Sequence, residues 1–246
     1  CLGAPVMIDA LQQRGLSPEY CIVGEPTSMQ MVVAHKGIHT FTCRVHGKAA
    51  HSSLTPQGVN AIEYAAQLIL FIQQLGQRLQ HDYAQDAAFD VPFSTLSVNT
   101  IQGGIASNIV PQLCEFGFDY RNLPHMQPAD VIEPIQRYIR EVLEPQMRAV
   151  DANCGIELHH HAAVPAMPEA DAQALLQLVA QLVGNHTRHK VAYATEGGQF
   201  KQAGIHTVIC GPGSIEQAHR ANEFVSLAQL ARCDDFLNKM IAAQTR

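Results

Sequence analysis

His39-Thr40-Phe41-Thr42-Cys43-Arg44-Val45-His46 alternates apolar with polar side chains, and Phe41, Cys43 and Val45 fall on one face. Successive side chains of a strand point to opposite faces, so this period marks a strand with one wet side. Downstream, from Asn60 to Leu75, Ile62, Ala65, Ile69 and Ile72 recur at helical spacing. Alternation returns from Thr95 to Ile101 through Leu96 and Val98. After the turn at Gly103-Gly104 it returns again, from Leu113 to Tyr120 through Phe116 and Phe118. Val131, Ile135, Tyr138 and Val142 mark a second helix, and Ile156 to His160 a fourth strand. The order β-α-β-β-α-β is the ferredoxin-like, split βαβ plan, in which two helices cover one face of an antiparallel sheet.

The flanks follow another pattern. Ala4 to Arg14 reads as a helix stopped by Gly15. Tyr20-Cys21-Ile22-Val23 is a short apolar strand that runs into the loop Gly24-Glu25-Pro26-Thr27. A strand apolar throughout suggests a sheet covered on both faces, as in α/β folds. Past Val164, Ala172 to Val183 reads as a helix closed by Gly184, and Val191 to Ala194 and Thr207 to Cys210 as short strands. Ser226 to Ala243 reads as a helix with Leu227, Leu230, Leu237 and Met240 inward. The organisation expected is an α/β domain formed by residues 1–37 and 164–246, interrupted by a ferredoxin-like domain at residues 38–163. The opening Cys1-Leu2-Gly3-Ala4 reads as the middle of a chain, so part of the α/β domain is expected to lie outside it.

Bulk properties narrow the function. A formal net charge of -6, with 16 Lys and Arg against 22 Asp and Glu, leaves no basic excess to neutralise phosphates, which argues against nucleic acid. No apolar run approaches the length of a membrane span, so no membrane partner is expected. Seven cysteines, scattered and never spaced C-x-x-C, favour neither a disulfide scaffold nor a zinc ribbon and point to a reducing cytoplasm.

The candidate chemistry sits in a few places. Glu25 follows the end of an apolar strand, where sites form in open α/β sheets, on a loop stiffened by Pro26. His219 follows a second strand end and the turn Gly211-Pro212-Gly213, whose backbone N–H groups could cradle a carboxylate. Carboxylate plus imidazole suits zinc. Taken singly, Glu25 reads sooner as a turn residue facing water and His219 as a surface histidine; the two strand-end loops together point to the metal reading. His51, flanked by Ala49-Ala50 and Ser52-Ser53, is sterically open and could donate to a developing oxyanion. Arg121 ends a strand, where its fork could clamp a substrate carboxylate. Asn108 either hydrogen-bonds a substrate or caps the Gly103-Gly104 turn. His159-His160-His161 reads as strand surface, because alternation separates the middle ring from its neighbours.

Together these segments resemble the M20 family of zinc aminoacylases and peptidases. The resemblance rests on Gly24-Glu25-Pro26-Thr27-Ser28, Ala34-His35-Lys36-Gly37, Gly47-Lys48-Ala49-Ala50-His51-Ser52-Ser53, Gly58-Val59-Asn60-Ala61, Gly103-Gly104 with Asn108, Asp119-Tyr120-Arg121-Asn122-Leu123-Pro124, Thr195-Glu196 and Gly211-Pro212-Gly213 with His219. It implies a catalytic domain with two zinc ions, cobalt being a possible substitute, and an inserted lid and dimerisation domain. Glu25 and His219 match metal ligands, and His51 matches the lid histidine that steadies the oxyanion. Asn108, Arg121, Gly211 and Gly213 match substrate-holding positions. The expected activity of the intact enzyme is hydrolysis of a small N-acyl amino acid, N-acetyl-L-ornithine first, in a homodimer. Acetylcitrulline, succinyl-diaminopimelate and peptides are the alternatives. The family's upstream His-x-Asp, bridging Asp and Glu-Glu ligands have no counterpart here, so the chain alone is expected to be an inactive dimerisation module.

Overall fold

The computed structural model describes residues 1–244. In chain order the elements are α1 (Gly3–Gln13), β1 (Tyr20–Val23), β2 (Met31–His35), β3 (Ile38–His46), α2 (Ala61–His81), β4 (Thr95–Gly103) and β5 (Leu113–Arg121). There follow α3 (Ala129–Tyr138), α4 (Glu144–Arg148), β6 (Gly155–Val164), α5 (Gln173–Val183), β7 (Arg188–Val191), α6 (Gly197–Gln202), β8 (His206–Ile209) and α7 (Leu227–Gln244). They form two compact units. The first comprises Cys1–Gly37, Asp86–Pro92 and Val164–Arg246, the second Ile38–Gln85 and Phe93–Ala163. No helix among the described residues is long and apolar enough to cross a membrane.

The second unit is a four-stranded sheet in the order β4-β5-β3-β6. With β3, β4, β5 and β6 as first to fourth strands, this is the ferredoxin-like arrangement. Its registers follow the side-chain pattern: Phe41 pairs with Phe118, Cys43 with Phe116 and Val45 with Cys114, all buried on one face. The Phe41 and Phe118 rings stack at 4.8 Å. Asn60 caps α2, its Oδ1 accepting from the N–H groups of Ile62 and Glu63. The core face of α2 is Ala65, Leu68, Ile72, Leu75 and Leu79, whereas Ile62 is exposed. The second helix keeps Val131 and Ile135 inside, but a π-helical turn at Ile139–Leu143 adds a residue to the repeat. Burial therefore continues through Ile139, Leu143 and Met147, and Val142, expected inward, faces out.

The first unit holds the sheet β1-β8-β2-β7. Strands β1 and β8 run parallel, with Val23 opposite Ile209, and β2 runs parallel to β7. The fully buried strand is β2, a strand the apolar-run reading does not pick out; β1 is only partly buried. The last strand before α6 lies at Arg188–Val191, N-terminal to the expected Val191–Ala194, because its pairing with β2 starts at Met31 opposite Arg188.

Helix α7 corrects a second expectation. Leu227, Leu230 and Leu237 are exposed, and the face turned to the core is Phe236, with Cys233 and Met240 partly buried beside it. The helix carries two apolar stripes, and periodicity alone does not say which one packs. Asp86–Pro92, inside the expected insert, joins the first unit for a visible reason. Lys190 Nζ bonds Asp86 Oδ2 at 3.0 Å and Glu169 Oε2 at 2.7 Å, and it lies over the buried Phe89 ring.

Candidate active site

In the first unit the parallel pairing of β1 with β8 brings their carboxyl ends together, with Glu25 two residues past one end and Gly211 two past the other. The two loops are zipped. Thr27 N–H and Met29 N–H donate to the Gly211 carbonyl at 3.2 and 2.8 Å, and Ser28 N–H to the Gly213 carbonyl at 2.6 Å. Ser28 and Met29 reach these bonds in the left-handed region, at φ 56° and 59°. Gly211 cannot carry a side chain here: a Cβ would lie 2.2 Å from the Gly24 carbonyl oxygen. The donors expected to cradle a carboxylate have protein partners. Gly211 N–H donates to Thr27 Oγ1 at 3.1 Å and Gly213 N–H to Gln229 Oε1 at 3.3 Å, and Pro212 has no N–H. The turn binds the two site loops to each other.

Beyond this turn His219 is exposed and adopts φ 62°, a conformation uncommon for a side-chain-bearing residue and concentrated at functional sites. Its backbone N–H donates to Glu223 Oε2 at 3.1 Å. Glu25 feels the charges of Glu196 and His219. The Glu25 carboxyl is pushed above the usual range by burial and then by the Glu196 carboxylate, while His219 pulls it down. Burial, with the charges of Glu25 and Asp90, pushes the Tyr193 phenol up to about 12.

The turn that carries Glu196 hangs on His35. This ring is fully buried; its Nδ1 lies 2.7 Å from the Lys36 carbonyl, and its Nε2 accepts the Gly198 N–H at 3.1 Å. Those partners define the tautomer: Nδ1 carries the proton and donates, and Nε2 accepts. Burial depresses the pKa to about 4, so the ring is neutral near pH 7. Gly197 N–H donates to Thr195 Oγ1 at 3.0 Å, and a Cβ on Gly198 would lie 2.1 Å from the Pro165 carbonyl oxygen. Sequence reading quoted His35 and Glu196 within motifs but assigned neither a task. A histidine closing an all-apolar strand was the available signal.

In the second unit His51 and Asn108 are brought together. Their segments form a bridge at His51 and Ile109, and Ser52 N–H donates to the Asn108 carbonyl at 3.0 Å. His51 caps a short 3-10 helix at Ser52–Gln57 and is exposed. Arg121 sits apart from them at the end of β5, with Nε on Asp119 Oδ2 at 3.1 Å. Of the histidine tract, His159 bonds Glu157 at 2.9 Å and His161 bonds Thr42 at 2.7 Å, while the His160 ring stacks on Phe41 at 4.5 Å. The middle ring is thus separated from its neighbours.

A strand-end carboxylate and imidazole are a donor pair suited to zinc, but zinc sites take three or four protein donors. Among the described residues no three His, Cys, Asp or Glu side chains are placed to hold a metal ion. The donors seen here do not complete a zinc site.

Residues 33–147 match the family model of the M20 peptidase dimerisation domain. The chain is 33% identical to the acetylornithine deacetylase of Pasteurella multocida over 240 residues, covering 98% of this chain and 60% of that protein. It is 35% identical to that of Edwardsiella ictaluri over 226 residues, covering 92% and 57%. Among solved structures, aminopeptidase PepT from Bacillus cereus superposes with a TM-score of 0.72 at 19% identity, over 94% of this chain and 59% of that one. A tripeptidase from Staphylococcus aureus gives 0.69 at 20%, over 94% and 58%. The chain is thus similar to the M20 family, through the dimerisation domain at residues 33–147 and through these relatives. It spans about 60% of the length of the curated relatives it matches.

Proposed function

We propose that the intact enzyme containing this chain is a metal-dependent amidohydrolase that cleaves N-acetyl-L-ornithine to ornithine and acetate, in cytoplasmic arginine biosynthesis. The observation that carries this reading is the pairing of Glu25 and His219 on loops that leave adjacent strand ends and are zipped through Gly211 and Gly213. Two curated relatives to which the chain is 33% and 35% identical are named acetylornithine deacetylase.

In this reading Glu25 and His219 supply two donors toward zinc, two ions in the intact enzyme with cobalt as a substitute. When bound, the metal would polarise the acyl carbonyl and activate water. The chain's own residues do the rest. His51 offers a ring N–H to the oxygen on which charge develops. Arg121, steadied by Asp119, and Asn108 hold the substrate's α-carboxylate and acyl group. Gly211 and Gly213 shape the wall of the site through the loops they join. The enzyme is a homodimer through the second unit. There β4 is an edge strand, and a groove of about 520 Å³ between it and α2 is lined by Ile72, Gly76, Gln77, Phe93, Leu96 and Val98.

Acetate release with zinc supplied, compared across N-acetyl-L-ornithine, N-acetylcitrulline and N-succinyl-diaminopimelate, tests the substrate. Preference for acetylornithine supports the reading, and preference for either of the others replaces it. A second reading concerns the 246 residues alone. The lack of a three-donor cluster among the described residues favours a dimerisation module without turnover.

A further inference from the structure

Ser53 makes two bonds to one ring nitrogen of His51. Its backbone N–H lies 3.3 Å from His51 Nδ1, and its Oγ lies 2.8 Å from the same atom. A backbone N–H can only donate, so Nδ1 offers its lone pair and carries no proton. The Ser53 hydroxyl then donates to Nδ1 as well. In the neutral ring the proton is left on Nε2.

We propose that Ser53 is a positioning residue that holds His51 as the Nε2–H tautomer, so that the ring presents a fixed hydrogen-bond donor to a developing oxyanion. The chemical purpose rests on the amidohydrolase reading above; the tautomer rests on geometry alone.

The surroundings explain why such a device is needed. The backbone of this segment is firmly held. Ser52 N–H donates to the Asn108 carbonyl at 3.0 Å, Val110 N–H to Ala50 at 2.8 Å and Leu54 N–H to His51 at 2.8 Å. Thr55 Oγ1 donates to the Ser52 carbonyl at 2.6 Å. The His51 ring itself is exposed, so packing does little to fix its last torsion. A ring turned over, or protonated on Nδ1 instead, would point a lone pair at the oxyanion and repel it. The bonds from Ser53 supply the orientation that packing does not, and preorganised donors are what lower such barriers.

The test uses the full chain labelled with ¹⁵N, with the ring nitrogens of His51 read by NMR at a pH where the imidazole is neutral. The expected wild-type spectrum shows an unprotonated Nδ1 and a protonated Nε2. Ser53→Ala shifts it toward a mixture of tautomers, and Ser53→Thr, which keeps the hydroxyl, restores it. In the zinc-loaded enzyme Ser53→Ala lowers kcat about fivefold, the worth of one neutral hydrogen bond, with KM little changed. A protonated Nδ1 in the wild type, or an Ala variant with the wild-type ring spectrum, overturns the proposal. A spectrum that moves while kcat stands still overturns the oxyanion role of His51 and leaves the Ser53 bond intact, so the two failures are distinguishable.

Discussion

His35 Nε2 accepts the backbone N–H of Gly198 at 3.1 Å, joining the end of β2 to the turn that presents Glu196. The bond exists only while the ring is neutral, because a protonated Nε2 has no lone pair. Burial holds the His35 pKa near 4, against an ordinary 6.5 in the unfolded chain. Between those values the unfolded state binds the proton and the folded state does not. Stability from this site is therefore complete above pH 6.5 and is lost as pH falls toward 4. The loss amounts to about 3 kcal/mol, two and a half units at 1.36 kcal/mol each. Urea unfolding at a series of pH values reads it, and His35→Gln should flatten the slope across that window. An unchanged slope would mean the ring titrates normally.

Gly211 is required by the zipper, since its missing Cβ is what lets the Glu25 loop approach. Gly211→Ala should destabilise the first unit by roughly 1–3 kcal/mol, the usual cost of overpacking. It should also disturb the loop bearing Glu25. Urea midpoints measured for the two units separately decide this; a wild-type midpoint for the first unit contradicts it.

The dimer reading makes the exposed edge of β4 the point of attack. Leu96→Lys puts a charge into the groove beside α2, where it meets Ile72 and Gly76. Sedimentation should then show a monomer with the fold intact by circular dichroism. A dimer that survives at micromolar concentration locates the interface elsewhere.

His51→Ala removes the proposed oxyanion donor. The expected effect in the zinc-loaded enzyme is a fall in kcat of about 10² or more, with a much smaller change in KM. A change confined to KM would assign the ring to substrate binding instead.

Much of this was legible in the residues. The second unit could be read because its strands have one wet face: Phe41, Cys43 and Val45 announce their own register, and the structure pairs them with Phe118, Phe116 and Cys114. The first unit was harder. Met31 to His35 is buried on both faces and so shows no alternation, and the strand was missed. In α7 two apolar stripes compete, and only tertiary packing selects Phe236 over Leu237. The π turn that moves burial from Val142 to Leu143 leaves no periodic trace. Within the site, Glu25 and His219 stood out as strand-end residues. His35 and Ser53, though inside quoted motifs, were given no task, because each works through hydrogen bonds that only the folded chain makes visible.

The most direct test is acetate release from N-acetyl-L-ornithine by the intact enzyme with zinc supplied, comparing wild type with Glu25→Ala and His219→Ala and measuring bound zinc in each. The account predicts that each variant loses zinc and at least 10²-fold of turnover together. Full turnover and full zinc content in both variants would contradict it.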